Sequence, residues 1–192
     1  MMTLLPVAAR VAKPWKNGGG STSDILVMPE NAGLDDFDWR LSIATIGGIG
    51  PFSEFKGVDR SLSLLENAGP EPLCLLVDEV RFQLDSQNPS LRFSGEARVR
   101  TEAGGEPHVV LNVMSRRDCF THLLSTVRIS GSQQIELDDA IHILLAQQGE
   151  CRIVNTGQTI RPYDAVLVQQ ESSIHLETGA EASLLLIAIK PA

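Results

Sequence analysis

Ile141-His142-Ile143-Leu144-Leu145-Ala146-Gln147-Gln148-Gly149-Glu150, continued by Tyr163-Asp164-Ala165-Val166-Leu167-Val168 and closing near His175, carries the clearest strand rhythm in the chain. An apolar run ends at a Gly-Glu turn, a second strand passes Gly157, and an Asp turn introduces another apolar run. Apolar runs of four to eight residues bounded by turn formers mark short strands with a buried face. An earlier stretch echoes it. Ser63-Leu64-Leu65-Glu66-Asn67-Ala68-Gly69 resembles Ile143 to Gly149, and Cys74-Leu75-Leu76-Val77-Asp78 resembles Cys151-Arg152-Ile153-Val154-Asn155. Each copy reads strand, Gly-bearing turn, strand, turn, strand. An internal duplication explains this, although apolar runs also recur by chance in β-rich sequence.

Working outward, the same alternation predicts strands at Trp39–Ile46, Leu73–Leu76, Val109–Met114, Ala140–Ala146, Ala165–Gln169 and Ala182–Ile189. Sixteen glycines and ten prolines punctuate them at the short intervals of a sandwich or barrel. Helical patterning is thin, with a short turn expected around Ser132–Asp139 or Phe120–Thr126. The C-terminal rhythm resembles that of cupins. The expected fold is therefore all-β, a double cupin-like β-barrel or β-sandwich (a bicupin) in one compact chain. Residues 1–125 form the N-terminal cupin-like half and residues 126–192 the C-terminal half.

His175 falls where cupins often carry their last metal-ligand histidine, but no His-x-His stands upstream. The remaining histidines, His108, His122 and His142, are scattered. A first-row metal needs three or four converging ligands, so neither a metal nor another cofactor is expected. The cysteines Cys74, Cys119 and Cys151 lie far apart without a Cys-x-x-Cys pair and read as small buried apolar residues.

With 192 residues, 43% of them apolar and 21% charged, the chain can bury a core. Its net charge of -8 would repel nucleic acid and an anionic membrane alike. The first residues lack the basic region of a secretory signal, and the longest apolar run, Leu184–Ile189, is far too short to span a bilayer. A cytoplasmic location is expected.

Polar chemistry concentrates in the first 117 residues. In Trp15-Lys16-Asn17-Gly18-Gly19-Gly20-Ser21-Thr22, three glycines suit either an anion-cradling nest, with Lys16 and Asn17 beside it, or a plain flexible turn. In Trp39-Arg40-Leu41-Ser42-Ile43-Ala44, period two sets Arg40 and Ser42 on the face opposite Trp39 and Leu41. That face meets either solvent or a barrel interior. An interior Arg40 would need a partner, and a carboxylate ligand would serve. Phe52 and Phe55 lie in a turn-rich loop running to Asp59-Arg60, and Asn112, Met114 and Arg116 share a face farther on. The candidate site is thus Lys16, Asn17, Arg40, Ser42, Arg60, Asn112 and Arg116. It holds cations and amides without an obvious base, and Glu54, Asp59 and Glu96 read more simply as ion-pair partners. Arginine outnumbers lysine 12 to 4, and a planar guanidinium matches a carboxylate in bidentate fashion. No nucleophile–base motif is present.

Five blocks in order carry a more specific likeness. They are Trp15-Lys16-Asn17-Gly18-Gly19-Gly20, Trp39-Arg40-x-Ser42-x-Ala44, Phe52-Ser53-x-Phe55-x-Gly57-x-Asp59-Arg60, Phe93-x-Gly95-Glu96 and Asn112-x-Met114-x-Arg116-Arg117. Together they resemble the HutD/Ves family of bacterial proteins over roughly residues 15–117. The resemblance implies a double cupin-like fold with a small-molecule pocket and a role in tuning expression of histidine utilisation. Urocanate, formiminoglutamate and formylglutamate, all carboxylates, are the implied ligands. Ser23 departs from the family pattern, in which an arginine is expected after Gly-Gly-Gly-x-Thr. The family also has members outside histidine operons, described as stress-induced.

A non-catalytic protein that binds a small carboxylate is the first expectation. The competing one is a metal-independent cupin enzyme, an isomerase or hydrolase acting on a small organic acid. No helix-turn-helix pattern is present, so any effect on transcription would be indirect. Cupin-like sheets commonly pair edge to edge, which makes a homodimer the expectation by analogy.

Overall fold

β-branched and leucine-rich runs broken by glycine, proline and aspartate leave the chain little choice but short strands. The structure is a computed structural model that describes residues 1–15, 18–67, 69–102 and 106–192. In chain order the strands are β1 (Met2–Leu5), β2 (Lys13–Pro14), β3 (Gly20–Met28), β4 (Trp39–Ile46), β5 (Val58–Asn67) and β6 (Leu73–Val77). Next come β7 (Val80–Leu84), β8 (Ser90–Ser94), β9 (Val99–Thr101), β10 (His108–Arg116), β11 (Phe120–Ile129) and β12 (Ser132–Glu136). The last are β13 (Ile141–Gln148), β14 (Cys151–Ile153), β15 (Thr159–Ile160), β16 (Ala165–Val168), β17 (Ser173–Glu177) and β18 (Ala182–Pro191). All six strands expected from alternation are present. The protein is all-β.

Two compact units divide the chain: Val11–Thr121 with Ala192, and Met1–Arg10 with His122–Pro191. The first holds a six-stranded sheet, β2-β3-β4-β10-β5-β8, and a three-stranded sheet, β7-β6-β9. Ala44, Ile46, Leu62 and Val110 of the larger sheet share one core with Leu73, Leu75 and Val99 of the smaller. The second unit holds β1-β16-β13-β18-β11 and β12-β17-β14-β15. Leu144, Val166 and Leu184 there share a core with Ile153, Ile174 and Leu176. The order β4-β10-β5-β8 in one unit matches β11-β18-β13-β16 in the other, and β7-β6-β9 matches β15-β14-β17. The sequence echo falls on equivalent strands, β5 with β13 and β6 with β14.

Three expectations change. Residues 1–10, expected in the N-terminal half, belong with the C-terminal unit, because β1 pairs antiparallel with β16 from Met2↔Val168 to Leu5↔Ala165. Asp164, the residue of the Asp turn, secures that end by accepting the Val7 N–H at 2.7 Å and the Arg161 N–H at 3.1 Å. The segments expected to hold a helical turn are β11 and β12; β12 is paired along its length with β17. Cys119 is exposed, whereas Cys74 and Cys151 are buried as expected, and burial raises the Cys151 thiol to about 11. Among the described residues, no helix is long and apolar enough to cross a membrane.

Candidate carboxylate-binding pocket

The six-stranded sheet changes character along one face. Ala44, Leu62 and Val110 lie in the core between the sheets. Two residues farther along each strand, the same alternation brings Ser42, Arg60 and Asn112, and Arg40 follows Ser42. Antiparallel register lines them up across β3, β4, β10, β5 and β8. Val27, Arg40, Met114, Arg60 and Phe93 form one cross-strand row, and Asp24, Ser42, Asn112 and Leu62 form the next. Arg40, Ser42, Arg60 and Asn112, four of the seven expected site residues, therefore line a single cavity of about 660 Å³. That volume accommodates a small organic molecule.

Arg60 is the chemical centre. It is only 6% exposed. Its Nη2 donates to Asn112 Oδ1 at 2.9 Å and its Nη1 to the Ser53 carbonyl at 3.1 Å, while Nε has no partner. The rings of Phe52, Phe55 and Phe93 surround the guanidinium at 5.2 to 5.4 Å. Aromatic faces stabilise a cation, but no carboxylate among the described residues pairs with this one. Burial, and secondarily the positive charge of Arg40, lowers its pKa from the ordinary guanidinium range to about 10. Buried and uncompensated, this charge favours an anion in the cavity.

Arg40 is different. Asp24 Oδ1 accepts from its Nε at 2.8 Å and its Nη2 at 2.5 Å. A β-bulge follows in β3 between Asp24 and Leu26, where the register with β4 shifts. Without that extra residue, Asp24 and Val27 could not both face the cavity, which both line. Ser42 sits beside the pair with 1% exposure and an unpartnered Oγ. Asp24 is the single acid among the described lining residues.

Of the other expected site residues, Lys16 and Asn17 lie outside the described residues. The Trp15 N–H donates to the Gly20 carbonyl at 2.9 Å, and Gly18 has φ 71°. Trp15 Nε1 donates to Thr22 Oγ1 at 2.7 Å, and both residues line the cavity. Arg116 is not brought to the cavity. It donates to the carbonyls of Phe37 and Asp35 at 3.2 and 2.9 Å and lies 5.9 Å from the Phe37 ring, bracing the β3–β4 connection. Ala32, Gly33 and Leu34 of that connection form part of the cavity wall. Ser23 pairs with Ile43, off the face that carries Asp24.

The remaining motif residues hold the aromatic loop in place. Asp59 accepts from Arg117 at 2.9 Å and Arg92 at 3.0 Å. Glu96 accepts from the Ser94 hydroxyl, the Gly57 N–H at 2.6 Å and Arg117 at 3.2 Å, which hold its carboxyl down to about 2. The ion-pair reading of these two acids is correct. Gly95 donates to the Val58 carbonyl and accepts from the Phe55 N–H. A Cβ there would run into the backbone oxygens of Phe55 and Val58. Among the described residues, no group of three or more His, Cys, Asp or Glu side chains is gathered to hold a metal. His175 instead faces Ser132 at 2.8 Å.

The HutD family model matches residues 8–186. The chain belongs to the HutD family. It is 40% identical over 105 residues to protein Ves of Citrobacter koseri, covering 54% of this chain and 52% of that protein. It is 43% identical over 86 residues to a 21.2 kDa uncharacterized protein in the hutC 3′ region of Pseudomonas putida, covering 45% of this chain and 43% of that protein. The chain thus spans about half the length of the curated relatives it matches. HutD of Pseudomonas fluorescens SBW25, solved in a formate condition, superposes with a TM-score of 0.82 at 25% identity over the full length of both chains. A cupin 2 conserved barrel domain protein from Leptotrichia buccalis superposes at 0.60 with 9% identity over 94% of this chain and 92% of that one, a likeness of fold. The HutD family is linked to histidine-utilisation genes, and the Pseudomonas putida relative lies in a hutC region.

Sequence reading missed Asp24 as the partner of this HutD-family pocket's Arg40, and it missed Phe93 against Arg60. Both signals were present as alternation, Thr22 with Asp24 in β3 and Leu91 with Phe93 in β8. Each acquires meaning only through long-range register.

Proposed function

We propose that this chain is a non-catalytic small-molecule-binding protein. It takes a carboxylate-bearing intermediate of histidine degradation into the cavity of the N-terminal unit and thereby tunes expression of histidine utilisation. One observation carries the reading: Arg60, buried and ringed by three phenylalanines, has no carboxylate partner among the described residues. An incoming carboxylate would supply the missing charge, with Ser42 and Asn112 as further hydrogen-bonding groups. Urocanate, formiminoglutamate and formylglutamate are the candidates, since all carry that group. The matched strand orders of the two units support a bicupin architecture. We place the protein in the cytoplasm, with a small acid rather than nucleic acid as its partner, and a homodimer is the oligomer to test. Any influence on transcription would run through sequestration of the ligand or through a protein partner.

A thermal-shift screen tests the reading directly. An acid present at about 100 times its dissociation constant stabilises the folded state by about 2.7 kcal/mol. For a chain of this length, that raises Tm by roughly 5 to 10 °C. The rise should appear with one or more pathway acids and vanish in Arg60→Ala. A flat response to urocanate, formiminoglutamate, formylglutamate, glutamate and formate overturns the assignment.

A further inference from the structure

The cavity has two chemically different ends. At one, Arg60 lacks a counter-ion among the described residues. At the other, Asp24 uses Oδ1 for both of its bonds with Arg40, at 2.8 and 2.5 Å. Oδ2 is left without a donor among the described residues, on a side chain 35% exposed. Arg40 and Asp24 neutralise each other, so among the described lining residues the buried wall keeps the positive charge of Arg60 and one open carboxylate oxygen, while exposed Lys13 adds a second cation. Between them lies a polar row: Asp24 opposite Ser42, and Ser42 opposite Asn112. Ser42 Oγ is buried and unpartnered, and Asn112 is tied to Arg60 through its Oδ1.

We infer that the ligand is amphoteric, with a carboxylate taken by Arg60 at one end and an N–H-bearing group taken by Asp24 Oδ2 at the other. The inference rests on the reading of the cavity as a carboxylate site and narrows it to amino, imino or imidazole acids. Asp24 and Arg60 stand on β3 and β5, three strand spacings apart, or about 14 Å between backbones. Both side chains reach inward from there, and the remaining gap suits a molecule with its two groups several bonds apart. An acid with a second carboxylate in place of the N–H group would bring an acceptor against Asp24 Oδ2, with no proton to share between them. An acid with an apolar tail would leave Oδ2 to water. The row therefore selects for a hydrogen-bond donor at one end while Arg60 anchors every acid at the other.

A matched pair of probes separates the inference from the reading beneath it. Urocanate and cinnamate share the acrylate, but only urocanate carries a ring N–H. In calorimetric titration of the intact protein, urocanate should bind about tenfold more tightly than cinnamate, the effect of one hydrogen bond to a charged acceptor. In Asp24→Asn that preference should collapse, with cinnamate held as tightly or more tightly because Arg40 is released from its partner. Equal binding of both acids by the wild type, lost in Arg60→Ala, overturns the amphoteric inference and leaves the carboxylate site intact. No binding of urocanate, cinnamate, glutamate or acetate overturns both.

Discussion

Arg60→Met tests the conflict between stability and binding that the proposed carboxylate site implies. The guanidinium is 6% exposed, and burial with the repulsion of Arg40 lowers its pKa from the ordinary guanidinium range to about 10. Such a drop corresponds to roughly 3 kcal/mol disfavouring the folded state. Because the folded value lies below the unfolded one, the penalty is present in full at neutral pH and is relieved only as pH rises past about 10. Methionine of similar length removes the charge and keeps contact with the three rings. It also leaves Asn112 Oδ1 and the Ser53 carbonyl without their donor, at about 1 kcal/mol each. The net expectation is a ligand-free variant at least as stable as wild type, by about 1 kcal/mol, or a Tm higher by roughly 2 to 4 °C. The same variant should show no thermal shift with any acid that stabilises the wild type. Differential scanning fluorimetry with and without the acids reads both quantities. A variant destabilised by more than about 3 kcal/mol, or one still stabilised by an acid, would refute the reasoning, since Arg60 would then be a structural cation.

Other predictions follow from the surrounding contacts. Glu96, held down to about 2, contributes stability above its ordinary value near 4.5 and loses it as pH falls toward 2. The Tm gap between wild type and Glu96→Gln should accordingly be widest above pH 4.5 and close toward pH 2, and a pH-independent gap contradicts the network. Gly95→Ala drives a methyl group into two backbone oxygens, so it should destabilise by about 1 to 3 kcal/mol and weaken acid binding through the displaced Phe55. Arg116→Ala should lower Tm by removing the brace on Asp35 and Phe37, yet an acid should still raise the variant's Tm. Complete loss of that rise would make Arg116 a ligand contact.

The strand pattern was legible because buried faces on both units force alternation, as in Trp39–Ile46, where strand ends and faces agree with the structure. β12 was not legible, because all but Ile135 of its residues are exposed and no apolar period marks it. The place of Met2–Leu5 was hidden for another reason: its partner strand lies some 160 residues away, and four residues carry no information about such pairing. At the site, Arg40, Ser42, Arg60 and Asn112 could be chosen by residue type and period two. Arg116 shares the same face of β10 by the same rule, yet lies beyond the cavity, where the β3–β4 connection supplies its acceptors. Asp24 follows the alternation of Thr22, but its pairing with Arg40 of the next strand depends on long-range register that the local sequence does not mark.

The most direct test is isothermal titration of the wild-type protein with a pathway acid and with the primary amide of that acid. The amide keeps the size and shape of the acid but lacks the charge, and one of the two acceptor oxygens, that Arg60 is held to recognise. Saturable one-to-one binding of the acid, with the amide at least about a hundredfold weaker, is the predicted result, as expected for an uncompensated buried cation. Equal binding of acid and amide, or binding of neither across urocanate, formiminoglutamate and formylglutamate, would contradict the assignment of this cavity as a carboxylate site.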